Sequence, residues 1–320
     1  MFCSKMTRFV LMFFCPFRSQ RIPRWIVALA MAGVVTVKDT RLLAQDKGGI
    51  RPGPVAPAQP LNLPGEVSDE RMEDLLDNAA ERLLKSGQTL KMSELRGQLR
   101  RRSCSIRLPK LSANKLSPAE LMAQARAGVL VIGDLYKCKK CPRWHVGVSS
   151  GFMLTEAGAC VTCYRVVNVT DSPTLIAMTG DGRIVPVREV LAANPHTDVA
   201  ILRLDGAGYT PLPLDTEPAV GAPVRVLSHP DDHFFTLSEG IVSRYVSVSL
   251  EKNGGVVTMM AITADFGAGS SGAPVFNERG GVAGMVNNTQ SLYYDPKRGK
   301  DLQMVFKHCL PSQYIRELIR

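Results

Sequence analysis

Apolar residues recur along this chain with two different periods. Over Met72, Leu75, Leu76, Ala79, Ala80, Leu83 and Leu84 they fall three and four apart, which places them on one stripe of a helix. Ser68 supplies a start signal and Gly87 a stop. A shorter helical piece is expected over Ser93–Leu99. Ser117-Pro118-Ala119-Glu120 is a capping box with proline at the first helical position, so a third helix is predicted over Ala119–Ala127. This helical region, residues 67–127, carries no catalytic chemistry. It is expected to pack on the domain that follows or on a partner.

From Gly128 the period shortens. Val129–Tyr136, Val146–Thr155, Cys160–Val169, Leu175–Thr179, Ile184–Leu191, Val199–Leu204, Val224–Leu227, Ile241–Leu250, Val256–Ile262 and Val282–Val286 read as strands separated by turn residues. About a dozen strands at about ten-residue spacing predict an all-β fold. There is room for two six-stranded antiparallel barrels, at about 128–210 and 211–310, divided near Asp205–Pro218. A C-terminal helix is expected over 312–320.

Charge changes this picture only at the N-terminus. The net charge is +10 over 320 residues, but residues 1–44 alone hold seven Lys/Arg against one Asp. The remainder is mildly basic, and no nucleic-acid partner is expected. Arg96–Arg102 reads as a solvated face. Residues 1–45 read as a signal peptide or membrane anchor: Arg18, Arg21 and Arg24 precede the apolar run Trp25–Val37, and Leu42-Leu43-Ala44 is a plausible cleavage point. Export follows, with membrane contact only through that segment. Residues 46–66, with five prolines and four glycines between Gly48 and Gly65, read as a linker.

One stretch fits neither period. In Ala264–Val275 five of twelve residues are Gly or Ser, and apolar runs flank it. A glycine-lined turn between strands presents one exposed hydroxyl with backbone N–H groups around it, which is what an acyl-transfer nucleophile requires; an ordinary Gly/Ser hairpin loop is the plainer alternative. Upstream, Asn194-Pro195-His196-Thr197-Asp198 puts an acid at the mouth of the strand Val199–Leu204.

Ser150-Gly151-Phe152, the acid strand at Asp198 and Gly269-Ser270-Ser271-Gly272-Ala273-Pro274 occur in the order of a known family. From about Ala127 to Arg320 the chain resembles the trypsin-like serine peptidases of the HtrA/Deg type, without a PDZ-sized segment after the peptidase-like domain. The resemblance implies a chymotrypsin-like pair of barrels with the site between them. It implies Ser271 as nucleophile, Asp198 as orienting acid, and the amides of Gly269 and Ser271 as oxyanion hole. It further implies an extended peptide or protein as ligand, and no cofactor.

The segment matching the family's histidine strand reads Val161-Thr162-Cys163-Tyr164-Arg165-Val166-Val167, which puts Arg165 at the general-base position. A guanidinium stays protonated and has no acceptor, so it cannot take a proton from serine. It can pair with Asp198. Two readings follow: an inactive or impaired peptidase homologue that binds peptide, or an active endopeptidase with another base, for which His196 is the first candidate. By the same resemblance Asp265 falls where trypsin-like peptidases have the floor of the primary specificity pocket; because HtrA-type loops differ in conformation there, a solvated or structurally paired acid is the favoured reading.

Cys138, Cys141, Cys160 and Cys163 have a zinc-ribbon spacing. If Cys160–Val167 is one strand, Cys160 and Cys163 point to opposite faces and cannot share an ion. Cys138 and Cys141 suit a turn, and a disulfide among them and Cys104 is the other expectation for an exported chain. His229 and His233, in His-Pro-Asp-Asp-His, invite a metal reading that Pro230 argues against.

Overall fold

The computed structural model describes residue 63 and residues 65–320, apart from residues 113, 139–140 and 251–254. The expected leader (1–45) and nearly all of the expected linker (46–66) lie outside the described residues. The chain divides into Met1–Glu66 and Val67–Arg320, and nearly all described residues belong to the second unit.

Three helices open it: α1 (Asp69–Lys85), α2 (Met92–Gln98) and α3 (Pro118–Ala125). The capping box at the start of α3 is formed, with the Ser117 hydroxyl accepting from Glu120 N–H and the Glu120 carboxylate accepting from Ser117 N–H. Leu76, Ala80, Leu95 and Leu121 are fully buried and join one continuous core with the strands that follow. The helices therefore pack on the β domain, α1 against the second and fifth strands and α2 against the fifth. The basic cluster takes part in this docking. Arg101 donates to the Glu189 carboxylate at 2.6 Å and the Val190 carbonyl at 2.7 Å, and Arg102 donates to the Ala193 carbonyl at 2.8 Å.

Twelve strands follow, in two closed antiparallel barrels. The first uses β1 (Val129–Lys137), β2 (Trp144–Met153), β3 (Ala159–Cys163), β4 (Leu175–Met178), β5 (Ile184–Asn194) and β6 (Val199–Leu204), in the order β1-β2-β3-β6-β5-β4. The second uses β7 (Pro223–Ser228), β8 (Thr236–Ser249), β9 (Val256–Ile262), β10 (Pro274–Phe276), β11 (Val282–Asp295) and β12 (Lys300–Pro311), in the order β10-β11-β12-β9-β8-β7. Closure leaves neither barrel with a free sheet edge. The expected all-β double barrel is what the chain forms. β3 and β4 are buried throughout because the barrel core lies on one face and other elements cover the other.

Two expectations are corrected. The strand predicted over Cys160–Val169 stops at Cys163, and the chain turns into a short helix, α4 (Tyr164–Val167). Asp198 is the cause: its carbonyl accepts from Tyr164 N–H at 2.9 Å and its carboxylate from Arg165 N–H at 2.9 Å. Both are donors at the start of a helix that have no partner inside it. The C-terminal helix is also shorter than expected, only α5 (Gln313–Arg316). Beyond it the backbone is drawn into a ladder with Cys104, whose N–H donates to Leu318 and whose carbonyl accepts from Arg320. Among the described residues no helix is long and apolar enough to cross a membrane.

Candidate active site

Ser271 lies between β9 and β10, in a loop clamped by both barrels. Its carbonyl accepts from Ser150 N–H of β2 at 2.9 Å, and Gly272 N–H donates to the Val286 carbonyl of β11 at 2.9 Å. Glycine is required at two points. Gly272 has φ +92°, and a Cβ there would stand 2.2 Å from the Ser150 carbonyl oxygen; Gly269 has φ +87°, and a Cβ would stand 2.3 Å from the His229 carbonyl oxygen. The two adjacent serines are not equivalent. Ser270 is fully buried, donates to Ser228 Oγ at 3.0 Å and accepts from Gly267 N–H at 3.3 Å. Ser271 is half-buried and faces the space where α4 and β6 begin.

Three further residues meet there. The guanidinium of Arg165 donates to Ser271 Oγ at 2.8 Å, to the Asp198 carboxylate and to the Asn287 carbonyl. Asn287 Nδ2 donates to Asp198 Oδ2 at 2.8 Å. The Asp198 carboxylate thus accepts from a guanidinium, an amide side chain and a backbone N–H. Asp198 itself adopts φ +53°, a left-handed conformation uncommon outside glycine and tolerated best by Asn and Asp. Among the described residues neither the Gly269 nor the Ser271 amide has a hydrogen-bond partner.

Chemically, Ser271 Oγ receives a hydrogen bond from a permanent cation and no acceptor is presented for its own proton by that cation. The fold closes an Arg165–Asp198 ion pair directly beside the Ser271 hydroxyl.

Comparison with known proteins bears on this arrangement. Residues 149–285 match the family model of the trypsin-like peptidase domain. This part of the chain is similar to the trypsin-like peptidases. The chain is 29% identical over 140 residues to a probable periplasmic serine endoprotease, DegP-like, of Pseudomonas putida. That match covers 43% of this chain and 28% of the relative, so the chain spans less than a third of the relative's length. The fold is shared with the crystal structure of the Rv3671c protease of M. tuberculosis in its active form, at a TM-score of 0.50 and 24% identity, over 66% of this chain and 89% of that one.

The remaining sequence candidates fall elsewhere in the domain. Asp265 is 89% exposed and pairs with Lys307 Nζ at 3.4 Å. His196 is exposed, and among the described residues its ring makes no hydrogen bond; only its backbone N–H is engaged, by Asn194. The two histidines of the His-Pro-Asp-Asp-His loop part company. His229 is buried against Phe235, accepts from Phe235 N–H at 3.1 Å, and is held neutral by burial, its pKa pushed down to about 3. His233 is exposed and pairs with Asp69 of α1 at 3.1 Å, whose hydrogen bond raises its pKa.

The four-cysteine zinc quartet is not assembled. Cys160 and Cys163 are fully buried in β3, where burial pushes both thiols up and away from the thiolate that a metal needs. No disulfide joins the described cysteines. The residue that sequence reasoning missed is Asn287. It follows the apolar run Val282–Val286 with nothing in its local pattern to mark it.

Proposed function

We propose that this chain is an exported, non-catalytic member of the trypsin-like peptidases that binds extended peptide or unfolded protein segments without cutting them. The observation that carries the reading is the contact of the Arg165 guanidinium with Ser271 and Asp198 together. Arg165 takes the general-base position, Asp198 the orienting-acid position and Ser271 the nucleophile position. In related triads, loss of the histidine alone costs about a million-fold in turnover, while oxyanion hole and binding site retain roughly 10³–10⁴ over water. The unengaged amides of Gly269 and Ser271 support an oxyanion-type cradle that remains available to a peptide carbonyl. Export is supported by the relative, described as periplasmic, and by the basic and then apolar residues 18–37.

The test is binding with recovery. Fluorescent peptides from an unfolded protein are titrated with the full chain, then recovered and weighed by mass spectrometry. Saturable binding with intact peptide is expected. Cleavage that disappears in Ser271→Ala overturns the reading and establishes an active endopeptidase.

A further inference from the structure

Away from this site, the β1–β2 hairpin gathers a second set of reactive side chains. Cys138, Cys141 and His145 bring one ligand atom each to within 4.8 Å of one another. Cys141 Sγ lies 3.1 Å from His145 Nε2. On the other side of the ring, His145 Nδ1 meets the Asp77 carboxylate at 2.8 Å, and the second oxygen of that carboxylate accepts from Val146 N–H at 2.9 Å. Asp77 projects from the buried face of α1, next to Leu76, and both Asp77 and His145 are buried.

We propose that Cys138, Cys141 and His145 bind a zinc ion, with Asp77 as the positioning residue that fixes the imidazole. The Nδ1–H donates to Asp77, which leaves Nε2 as the lone pair for the metal; a carboxylate behind a ligating histidine is the usual support of a zinc site. Two sulfurs and an imidazole suit zinc and disfavour calcium or magnesium, which take oxygen ligands. The size fits. Tetrahedral zinc at about 2.3 Å from sulfur and about 2.0–2.1 Å from nitrogen holds those two atoms about 3.6 Å apart, so Cys141 and His145 open by tenths of an ångström. Binding replaces the thiol–imidazole hydrogen bond and releases both thiol protons to solvent. The fourth position belongs to water or an outside ligand. The ion ties the hairpin tip to α1, and so the helical region to the first barrel.

A rival use of the same atoms is thiol chemistry, because Cys141, His145 and Asp77 alone form a nucleophile–base–acid series. Cys138 separates the two, since only the metal needs a second sulfur.

The experiment uses the full chain, purified with reduced thiols and without chelator. Elemental analysis is expected to give about one zinc per chain, and cobalt substitution a thiolate-to-metal charge-transfer band. Cys138→Ser and Cys141→Ser are expected to lose bound zinc and that band, while Cys104→Ser keeps both. Asp77→Asn is expected to bind zinc about 10- to 100-fold more weakly in chelator competition. Folding of each variant is followed by circular dichroism, and if a variant does not fold, the wild-type cobalt spectrum decides. The proposal is overturned if the reduced wild-type chain takes up neither metal, if Cys138→Ser retains wild-type zinc affinity, or if intact mass shows a Cys138–Cys141 disulfide that zinc and reductant leave unchanged.

Discussion

Arg165 and Ser271 are joined by a hydrogen bond of 2.8 Å in which the guanidinium donates and the serine oxygen accepts. The direction matters more than the distance. A base in this place accepts the serine proton; arginine supplies a further donor. The same side chain reaches the Asp198 carboxylate and the Asn287 carbonyl, so its charge is spent on groups that the fold already presents there.

The two adjacent serines should separate in stability. Ser270 is buried between Ser228 and Gly267, so Ser270→Ala strands those partners and is expected to cost about 1–3 kcal/mol. Ser271 is half-buried, and Ser271→Ala is expected to stay within about 0.5 kcal/mol of wild type. Urea unfolding of both variants measures the difference; an equal loss contradicts the assignment of Ser270 to structure and Ser271 to the site.

Gly272→Ala is expected to be among the most damaging changes in the loop. The new methyl would meet the Ser150 carbonyl at 2.2 Å and Thr162 Oγ1 at 2.5 Å, at a φ that L-residues avoid. A loss above about 2 kcal/mol follows from strain and broken packing. Wild-type stability in thermal unfolding contradicts the described loop.

His229 gives the fold a pH dependence of definite sign. Its folded pKa, about 3, lies below the ordinary 6.5, chiefly through burial, with the Leu130 carbonyl opposing and Arg126 adding to the shift. The unfolded chain therefore takes up the proton first as pH falls. Stability is complete above about pH 6.5 and declines steadily towards pH 3. His233 has the opposite sign, since Asp69 raises its pKa and that contribution fades as pH rises, but it is exposed and weak. His229→Gln, which keeps an acceptor for Phe235 N–H and cannot titrate, is expected to flatten the acid limb of a melting-temperature profile. An unchanged slope contradicts the assignment.

The helical region is part of the folded domain, and its removal should be felt in the barrel. Leu95 of α2 is fully buried in the core shared with β5 and its neighbours. Leu95→Ala is expected to cost about 2–5 kcal/mol, read as a single shifted transition. A separate early transition that leaves the barrels at wild-type stability contradicts shared packing.

Much of this fold is legible along the chain because its signals are local. Alternation marks the strands, Ser117 and Glu120 mark the start of α3, and Gly269 and Gly272 mark the serine loop. Strand ends were less legible: β3 stops at Cys163 because Asp198, in the turn between β5 and β6, captures the next two N–H groups. Arg165 was legible only through the resemblance, since nothing in its own neighbourhood distinguishes it from a surface arginine. Cys160 and Cys163 have a metal-site spacing, but their opposite parity in a strand argues against it, and both sit in β3, buried on each face. Asp77 was hidden in another way. It looks like a polar interruption beside Leu76, and its partner His145 lies 68 residues further on. Contacts closed by tertiary packing leave no period to read.

The most direct measurement is labelling by a fluorophosphonate probe, with protein-substrate cleavage alongside, for the wild-type chain, Arg165→His and Arg165→His/Ser271→Ala. The account predicts no labelling or cleavage by wild type, and gain of both in Arg165→His that the added Ser271→Ala removes. Wild-type labelling and cleavage that Ser271→Ala abolishes contradict it, and require a base other than residue 165.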